Sequence, residues 1–155
     1  MRFRILSDDE LKHLENDFKQ FLIVNQLHKE EWLELNQSSP EKALALVELF
    51  SDMVLLKVYE KINFLEYRNN RIFSIYKISE NQIQAIHIKS ENENVSILSD
   101  EELALALKNN LKELNIYKAE KQVSPYKEDE IHKLIQQGCI LSNEFVWGKM
   151  SELLS

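Results

Sequence analysis

The sequence predicts an α+β protein in which an antiparallel sheet of three to four strands, at about residues 64–98, is covered by about six helices. On either side of that segment the apolar residues recur with helical spacing, whereas inside it they alternate with the period of strands. The chain of 155 residues holds only two glycines and two prolines, which favours long regular elements joined by few tight turns. We expect a single domain over residues 1–155.

The N-terminal part is predicted to be helical. Residues 1–6 alternate and could form a short strand, after which Ser7 and Glu10 have the spacing of a capping box. The helix that begins there extends to about Gln26. A second, short helix is expected over Lys29–Asn36.

The longest predicted helix begins at Ser39 and Pro40, a pair typical of a helix N-terminus. Its apolar residues cover most of the circumference, so we expect it to be packed from several sides. Asp52 is an acid within this apolar helix. It is either a buried carboxylate with a raised pKa, suited to proton transfer, or a carboxylate at the edge of the apolar stripe, or one that accepts hydrogen bonds from a neighbouring loop.

Beyond this helix the period changes to that of strands. The pattern predicts a hairpin, a third strand and a short fourth strand, at Phe64–Arg68, Arg71–Ile78, Gln82–Lys89 and Val95–Leu98. The apolar phase slips within the third strand, which predicts either a bulge or burial on both faces. The product is an antiparallel meander with helices packed on it.

The C-terminal part returns to helical spacing. Ser99 with Glu102 forms a second capping-box pattern, and residues 115–123 fit either an extension of that helix or a loop. Another helix begins at Ser124 and Pro125 and is expected to end near Gly138. A last amphipathic helix reaches the terminus, so residues 124–155 could form a C-terminal helical appendage.

Composition limits the classes of function. The net charge is −7 and no segment is basic, which disfavours nucleic acid as a partner. The longest apolar runs are too short to span a membrane. Cys139 is the only cysteine, so no disulfide can form within the chain, and we expect a cytoplasmic protein.

No catalytic, metal or cofactor motif is recognisable. The four histidines match no zinc spacing, and three acidic triplets each fall in the first turn of a predicted helix, where they offset its dipole. Both glycines lie near the C-terminus, which excludes a glycine-rich phosphate loop. The sequence therefore predicts no metal and no cofactor, and it favours a protein that is not an enzyme.

The leading hypothesis is a non-enzymatic protein-interaction module of unknown pathway that neutralises or scaffolds a protein partner. The aromatic side chains of Trp32, Tyr67 and Trp147 are its candidate contact residues, since such residues often dominate interfaces. The acidic character suits a basic partner. The C-terminal helices could dock on that partner through their apolar face.

Two alternatives remain open. The first is a small hydrolase or ligand-binding enzyme with a pocket between sheet and helix, lined by Asp52, Glu66 and His87. The second is an accessory factor of a large assembly such as the ribosome. Its contact would be a local basic patch formed by Arg68, Arg71, Lys77 and Lys89.

Several short motifs resemble one known set of proteins. These are the opening MRFRILSDDEL, the EEW at residues 30–32, and FSDMV at residues 50–54 followed by FLEYR at residues 64–68. They resemble a family of short, uncharacterised bacterial proteins, a domain of unknown function found mainly in the Bacteroidetes. Family members carry a tyrosine where this chain has Phe64 and a histidine where it has Tyr67. The resemblance implies a bacterial cytoplasmic protein and transfers no functional residue.

Overall fold

The structure is a computed structural model that describes residues 1–123 and 125–155. The described residues form seven α-helices and one antiparallel sheet of five strands, which confirms the α+β class. The chain divides into two compact units, Met1–Glu60 and Lys61–Ser155. The first, called the helical unit, contains four of the helices. The second, called the sheet unit, contains all five strands.

The helical unit contains three short helices and one long helix: α1 Asp8–His13, α2 Glu15–Val24, α3 Lys29–Ser38 and α4 Pro40–Glu60. The Ser7–Glu10 capping box is present, and α4 begins at Pro40 as its sequence predicts. The predicted first helix is divided at Leu14, whose φ of −103° and ψ of 21° leave the helical region.

Residues 1–6 form no strand. The backbone N–H groups of Arg2 and Phe3 instead donate to the two carboxylate oxygens of Asp52, at 2.7 and 2.8 Å. The N–H of Leu6 donates to Oγ of Ser51 at 3.0 Å. Because side chains of α4 satisfy these backbone groups, the alternation in this segment does not require a neighbouring strand.

Aromatic rings form the interior of the helical unit. Phe50 of α4 is buried, and its ring centroid lies 5.0 Å from that of Phe18 and 5.4 Å from that of Phe21. Trp32 of α3 meets Phe18 edge to face at 5.4 Å. These contacts tie α2 and α3 to the middle of α4, in the geometry that aromatic pairs prefer.

The sheet unit has the strand order β4-β3-β2-β1-β5, with all neighbours antiparallel. Its strands are β1 Phe64–Arg68, β2 Ile72–Ile78, β3 Gln82–Ser90, β4 Leu114–Gln122 and β5 Ile140–Leu141. Its helices are α5 Asp100–Asn109, α6 Lys127–Gln136 and α7 Glu144–Glu152, with a 3₁₀ turn at Leu111–Glu113.

The two faces of the sheet differ in what covers them. On one face, the α5/α7 face, the fully buried Phe73, Ile75, Ile86 and Ile88 pack with α5, α7 and Ile97. The opposite face, called the α6 face, carries Ser74, Tyr76 and His87 among other side chains and lies beside α6. Directly opposed residues share a face, so the register assigns every strand residue to one side.

The prediction of a fourth strand at residues 95–98 is wrong. This segment is a bend in which Ile97 enters the core and the Val95 carbonyl accepts a hydrogen bond from the Ser90 hydroxyl at 2.6 Å. The fourth strand is β4, in the segment expected to be helix or loop. Most side chains of β4 are exposed on both faces, which removes the alternation that marks a half-buried strand.

The phase slip in β3 reflects burial on both faces. The register of β3 with β2 and with β4 runs without interruption, so no bulge is present along it. Ile83 and Ala85 are buried on the α6 face, whereas Ile86 and Ile88 are buried on the other.

The C-terminal elements are connected to the sheet. β5 pairs with β1, and Trp147 of α7 belongs to the core cluster with 9% of its surface exposed. The expected helix start at Ser124 lies outside the described residues. α6 ends in a Schellman motif, where Gly138 has a φ of 105° and the N–H of Cys139 donates to the Leu134 carbonyl at 3.0 Å.

None of the described helices combines the length and apolar character that a membrane span requires.

Candidate functional site

The helical unit contains a groove between α2 and α3, called the α2–α3 groove. Its volume is about 520 Å³, and it is lined by Glu15, Phe18, Lys19, Leu22, Ile23, Leu27, His28, Lys29, Trp32 and Leu33. The two helices are joined by a tight turn in which Gln26 adopts a φ of 64°. His28 then begins α3, and its N–H donates to the Glu31 carboxylate at 2.6 Å. The turn at Gln26 and the cap at His28 thus mark where α2 ends and α3 begins.

The floor and the rims of this groove differ. Leu22 is buried, and Phe18 and Trp32 are half-buried, so the floor is apolar and held by ring contacts. At the rims, Ile23 is 46% exposed and Leu33 is 53% exposed. Exposed apolar side chains gathered around a concave surface indicate a contact site more strongly than scattered ones do.

A second depression of about 440 Å³ lies between α2 and α4. Val24, Met53 and Val58 line it with much of their surface exposed. The helical unit therefore presents apolar side chains on both sides of α2, beyond those that its aromatic interior covers.

The sequence indicates these rim residues by runs of consecutive apolar residues, which are too long for all their members to lie on one face of a helix. Leu22, Ile23 and Val24 are consecutive, as are Trp32 and Leu33. Neighbouring positions on a helix are about 100° apart, so one member of each run must turn away from the core. Of these groove residues, Trp32 was predicted from the sequence as a contact residue, whereas Ile23 and Leu33 were not.

The other two candidate contact residues lie in the sheet unit. Trp147 packs inside the core cluster rather than at the surface. Tyr67 is half-buried on β1, and the site where a Cβ of Gly138 would stand is 3.4 Å from its ring. The side-chain amide of Asn69 donates to the Tyr67 hydroxyl at 3.4 Å. Trp32 is thus the candidate aromatic that lines a groove.

A polar cluster occupies the α6 face around His87. Nδ1 of His87 and Oγ of the buried Ser74 are hydrogen-bonded at 2.6 Å, as the direct pairing of these residues across β2 and β3 allows. The imidazole ring lies 5.0 Å from the ring of Tyr117 and 5.9 Å from that of Tyr76. Burial lowers the pKa of His87 and raises that of Tyr76, so both are neutral near pH 7.

Beside this cluster is a cavity of about 230 Å³, called the α6 cavity. It is lined by Tyr76, Ile83, Ala85, His87, Ala119, Glu120, Lys121, Glu130 and Leu134. Lys121 and Glu130, which both line it, form an ion pair at 2.8 Å. The cavity combines an apolar floor with a few polar groups, the usual composition of a small-ligand site.

The structure does not show Asp52, Glu66 and His87, the residues of the predicted enzyme site, on one face of the sheet. Glu66 pairs with Ile75 and therefore lies on the α5/α7 face, whereas His87 lies on the α6 face. Asp52 belongs to the helical unit, where its carboxylate accepts the two backbone hydrogen bonds from Arg2 and Phe3.

The four basic side chains of the predicted patch have different surroundings. Arg68 forms an ion pair with Asp100 at 2.7 Å and lies over the Phe73 ring at 4.5 Å. Arg71 donates twice to the Ser90 carbonyl. Lys77 and Lys89 are exposed on opposite faces of the sheet.

The thiol of Cys139 is buried, and burial raises its pKa to about 11. A thiol with such a pKa is protonated near neutral pH and is a poor nucleophile or metal ligand. Among residues 1–123 and 125–155, no three side chains of His, Cys, Asp or Glu are placed to hold a metal ion together.

Comparison with known proteins supports the resemblance seen in the sequence. A family model described as "Family of unknown function (DUF6495)" matches residues 1–155, the whole chain rather than only its first 68 residues. No curated protein and no solved structure matches the chain. The protein therefore belongs to the family of unknown function DUF6495.

Proposed function

We propose that the protein is a non-enzymatic interaction module whose α2–α3 groove receives apolar side chains from a helix of a partner protein. The observation that supports this most is the pair of half-exposed rim residues, Ile23 and Leu33, on either side of an aromatic floor. Helices commonly bind in this way, with side chains one turn apart as anchors. Trp32, which lines the groove, belongs to the residue types that often dominate such contacts.

The acidic character of the chain, with a net charge of −7, favours a basic partner. The groove lining itself holds both signs, with Glu15 and Lys19 in an ion pair at 3.3 Å and Lys29 on α3. Glu30 and Glu34 are exposed on α3 outside the lining. A partner helix with lysine or arginine beside its apolar face would be complementary to this surface. The module would scaffold or neutralise that partner.

The proposal predicts that Leu33→Asp abolishes partner binding. A carboxylate at the rim would have to be desolvated when an apolar side chain enters the groove, so recovery of the partner should fall about tenfold or more. The measurement is quantitative mass spectrometry of proteins that co-purify with tagged wild type and variant from the native host. Circular dichroism verifies that the variant is folded.

Leu105→Asp is the matched control, because Leu105 is 58% exposed on α5 and does not line the groove. A protein retained by wild type and Leu105→Asp but lost from Leu33→Asp supports the proposal. If both variants retained the partner as well as the wild type does, the partner would have to bind another surface.

The charge of the partner can be tested separately. If the partner is basic, binding should weaken as salt is raised and also in the variant Glu30→Lys/Glu34→Lys at constant salt. Isothermal titration with the recovered partner measures both effects. A salt-independent affinity would leave the groove proposal standing and remove the claim of a basic partner.

The α6 cavity supports a second candidate function, the binding of a small uncharged ring compound. Of its polar lining residues, His87 and Tyr76 are neutral near pH 7, Lys121 and Glu130 are paired with each other, and Glu120 accepts a hydrogen bond from Gln82. The remaining lining residues are apolar. A ligand with one hydrogen-bonding group and a planar apolar body would suit this lining.

Ligand binding can be tested by nuclear magnetic resonance with a library of small aromatic compounds. Binding in the cavity should shift the signals of Tyr76, His87 and Ala119 together, and His87→Phe should weaken it by removing the ring nitrogens. Compounds that shift other residues only would argue against this site.

The proposal also includes a cellular location, the bacterial cytoplasm. A bacterial cytoplasmic protein needs no disulfide, and the single Cys139 is buried as a thiol. A reducing compartment suits such a chain. Fractionation of the native host with an antibody against the protein tests this part directly.

A further inference from the structure

Among residues 1–123 and 125–155, β4 pairs with β3 and with no other strand, so it forms an edge of the sheet. β4 is the terminal strand in the order β4-β3-β2-β1-β5, and it is nine residues long. All its side chains are exposed except those of Leu114 and Ile116, which are half-buried. A long exposed edge strand is a template for a further strand unless its sequence prevents pairing.

The hydrogen bonds to β3 show which backbone groups face outward. At its two ends this ladder is closed by bonds from Glu91 N–H to the Glu113 carbonyl and from Val123 N–H to the Asn81 carbonyl, both near 2.9 Å. The register between them is uninterrupted, so the odd-numbered residues of β4 bond to β3. The backbone groups of Ile116, Lys118, Glu120 and Gln122 therefore point to the open edge.

The side chains at this edge are complementary to themselves. We propose that β4 pairs antiparallel with β4 of a second copy of the chain, with the two-fold axis at Ala119. In that register Lys118 lies opposite the partner's Glu120, and Glu120 lies opposite the partner's Lys118. Opposite charges directly across an antiparallel pair are stabilising, whereas like charges are not.

Neighbouring registers are less favourable. A shift that places the axis at Lys118 sets two lysines against each other, and one that places it at Glu120 sets two glutamates against each other. A register with the axis between two residues would oppose an outward-facing backbone group to an inward-facing one, which breaks the ladder. The axis at Ala119 satisfies both charge and hydrogen bonding.

The resulting dimer has one continuous ten-stranded sheet. Residues 116–122 of the two copies align, and the outward N–H and C=O groups of the four residues named above are all paired. The two-fold axis is perpendicular to the sheet, so each face continues as the same face in the partner. On the α6 face, Tyr117 lies opposite the partner's Lys121, a pair suited to a cation–π contact.

An engineered disulfide tests the register of the proposed β4–β4 pairing directly. Opposed residues at a position without interstrand hydrogen bonds have Cα atoms about 4.5 Å apart, within the range that a disulfide bridges. We expect Ala119→Cys to form an intermolecular disulfide under mild oxidation, since the native Cys139 is buried. Gln122→Cys, the control, lies opposite the partner's Ile116 and should not cross-link. Equal cross-linking of both variants would overturn the register.

Reversing the charges at residues 118 and 120 provides an independent test, with self-association measured by analytical ultracentrifugation. Physiological salt is used because it screens the repulsion between two copies that each carry a charge of −7. Lys118→Glu and Glu120→Lys should each weaken self-association about tenfold, because two symmetric pairs become like-charged. The double variant Lys118→Glu/Glu120→Lys should restore it. Mixing the two single variants should also restore dimers, as heterodimers only.

A wild-type protein that sediments as a monomer at all accessible concentrations would overturn the proposal. So would a dimer whose affinity is unchanged in both single variants, since its interface must then lie elsewhere. Lys118→Pro adds a backbone test: it removes an outward N–H and leaves the bonds to β3 intact, so it should give a monomer.

Discussion

At the scale of single residues, Glu10 links the N-terminal segment to the first helix. Its carboxylate accepts two bonds from the Arg4 guanidinium, at 2.8 and 3.0 Å, and one from the backbone N–H of Ser7 at 2.9 Å. The hydrogen bonds from Arg4 are the main reason that the pKa of Glu10 falls to about 2, and the Ser7 bond adds to this effect.

We expect Glu10→Gln to lower the free energy of unfolding at neutral pH by about 1 kcal/mol, a modest value because the side chain is 40% exposed and its ion pair is screened. Since the folded-state pKa lies below the ordinary 4.5, the contribution is complete above that pH and is lost as the pH falls towards 2. Urea denaturation across this range measures it. Asp9→Asn, in the same helical turn, is the control. A loss for Glu10→Gln that does not change with pH would contradict the ion-pair origin.

Only part of the candidate site is predictable from single residues of the sequence. Trp32 stands out as a lone aromatic beside acids, and His87 as a polar residue between isoleucines. Whether Ile23 or Leu33 is covered depends on how α2 and α3 diverge, which their own spacing does not specify. The bond between Ser74 and His87 depends on strand register, which turn geometry and burial decide together.

At the scale of elements, predictability follows the strength of the local signal. α4 and β1 to β3 were predictable because apolar residues recur along their sequences with the spacing of a helix or of strands. β4 lacks such a pattern, since β3 supports its backbone while solvent surrounds most of its side chains. β5 is two residues long and exists only because it pairs with β1, a contact that no local sequence signal encodes.

The two glycines offer a matched prediction at this scale. Gly138→Ala should lower the free energy of unfolding by about 1 kcal/mol or more, because a φ of 105° is strained for alanine. Gly148→Ala should raise it by up to about 1 kcal/mol, since Gly148 lies inside α7 with open space around its Cα. Thermal denaturation of both variants measures the difference. Changes of the same sign would contradict the assignment of Gly138 as a helix end.

At the scale of the whole molecule, the sheet predicts a gradient of local stability. β2 and β3 are hydrogen-bonded on both sides and buried on both faces, so their amides should exchange slowest. In dilute protein, β4 should show alternation, with Tyr117 and Ala119 protected and Lys118 and Glu120 exchanging freely. Hydrogen exchange followed by nuclear magnetic resonance measures this pattern. Uniform protection along β4 in a verified monomer would contradict the assigned ladder.

The burial of Cys139 makes it possible to measure local unfolding of the sheet unit. The chain has a single cysteine, and its thiol is inaccessible while the native fold is closed. Burial also raises the pKa of this thiol, so a thiol reagent should react chiefly during a transient opening of the turn between α6 and β5. The labelling rate of the native protein, divided by that of the unfolded chain, therefore gives the opening equilibrium of this turn. The wild-type sequence thus contains its own kinetic probe of local unfolding, and any ligand or partner that stabilises the sheet unit should slow the labelling.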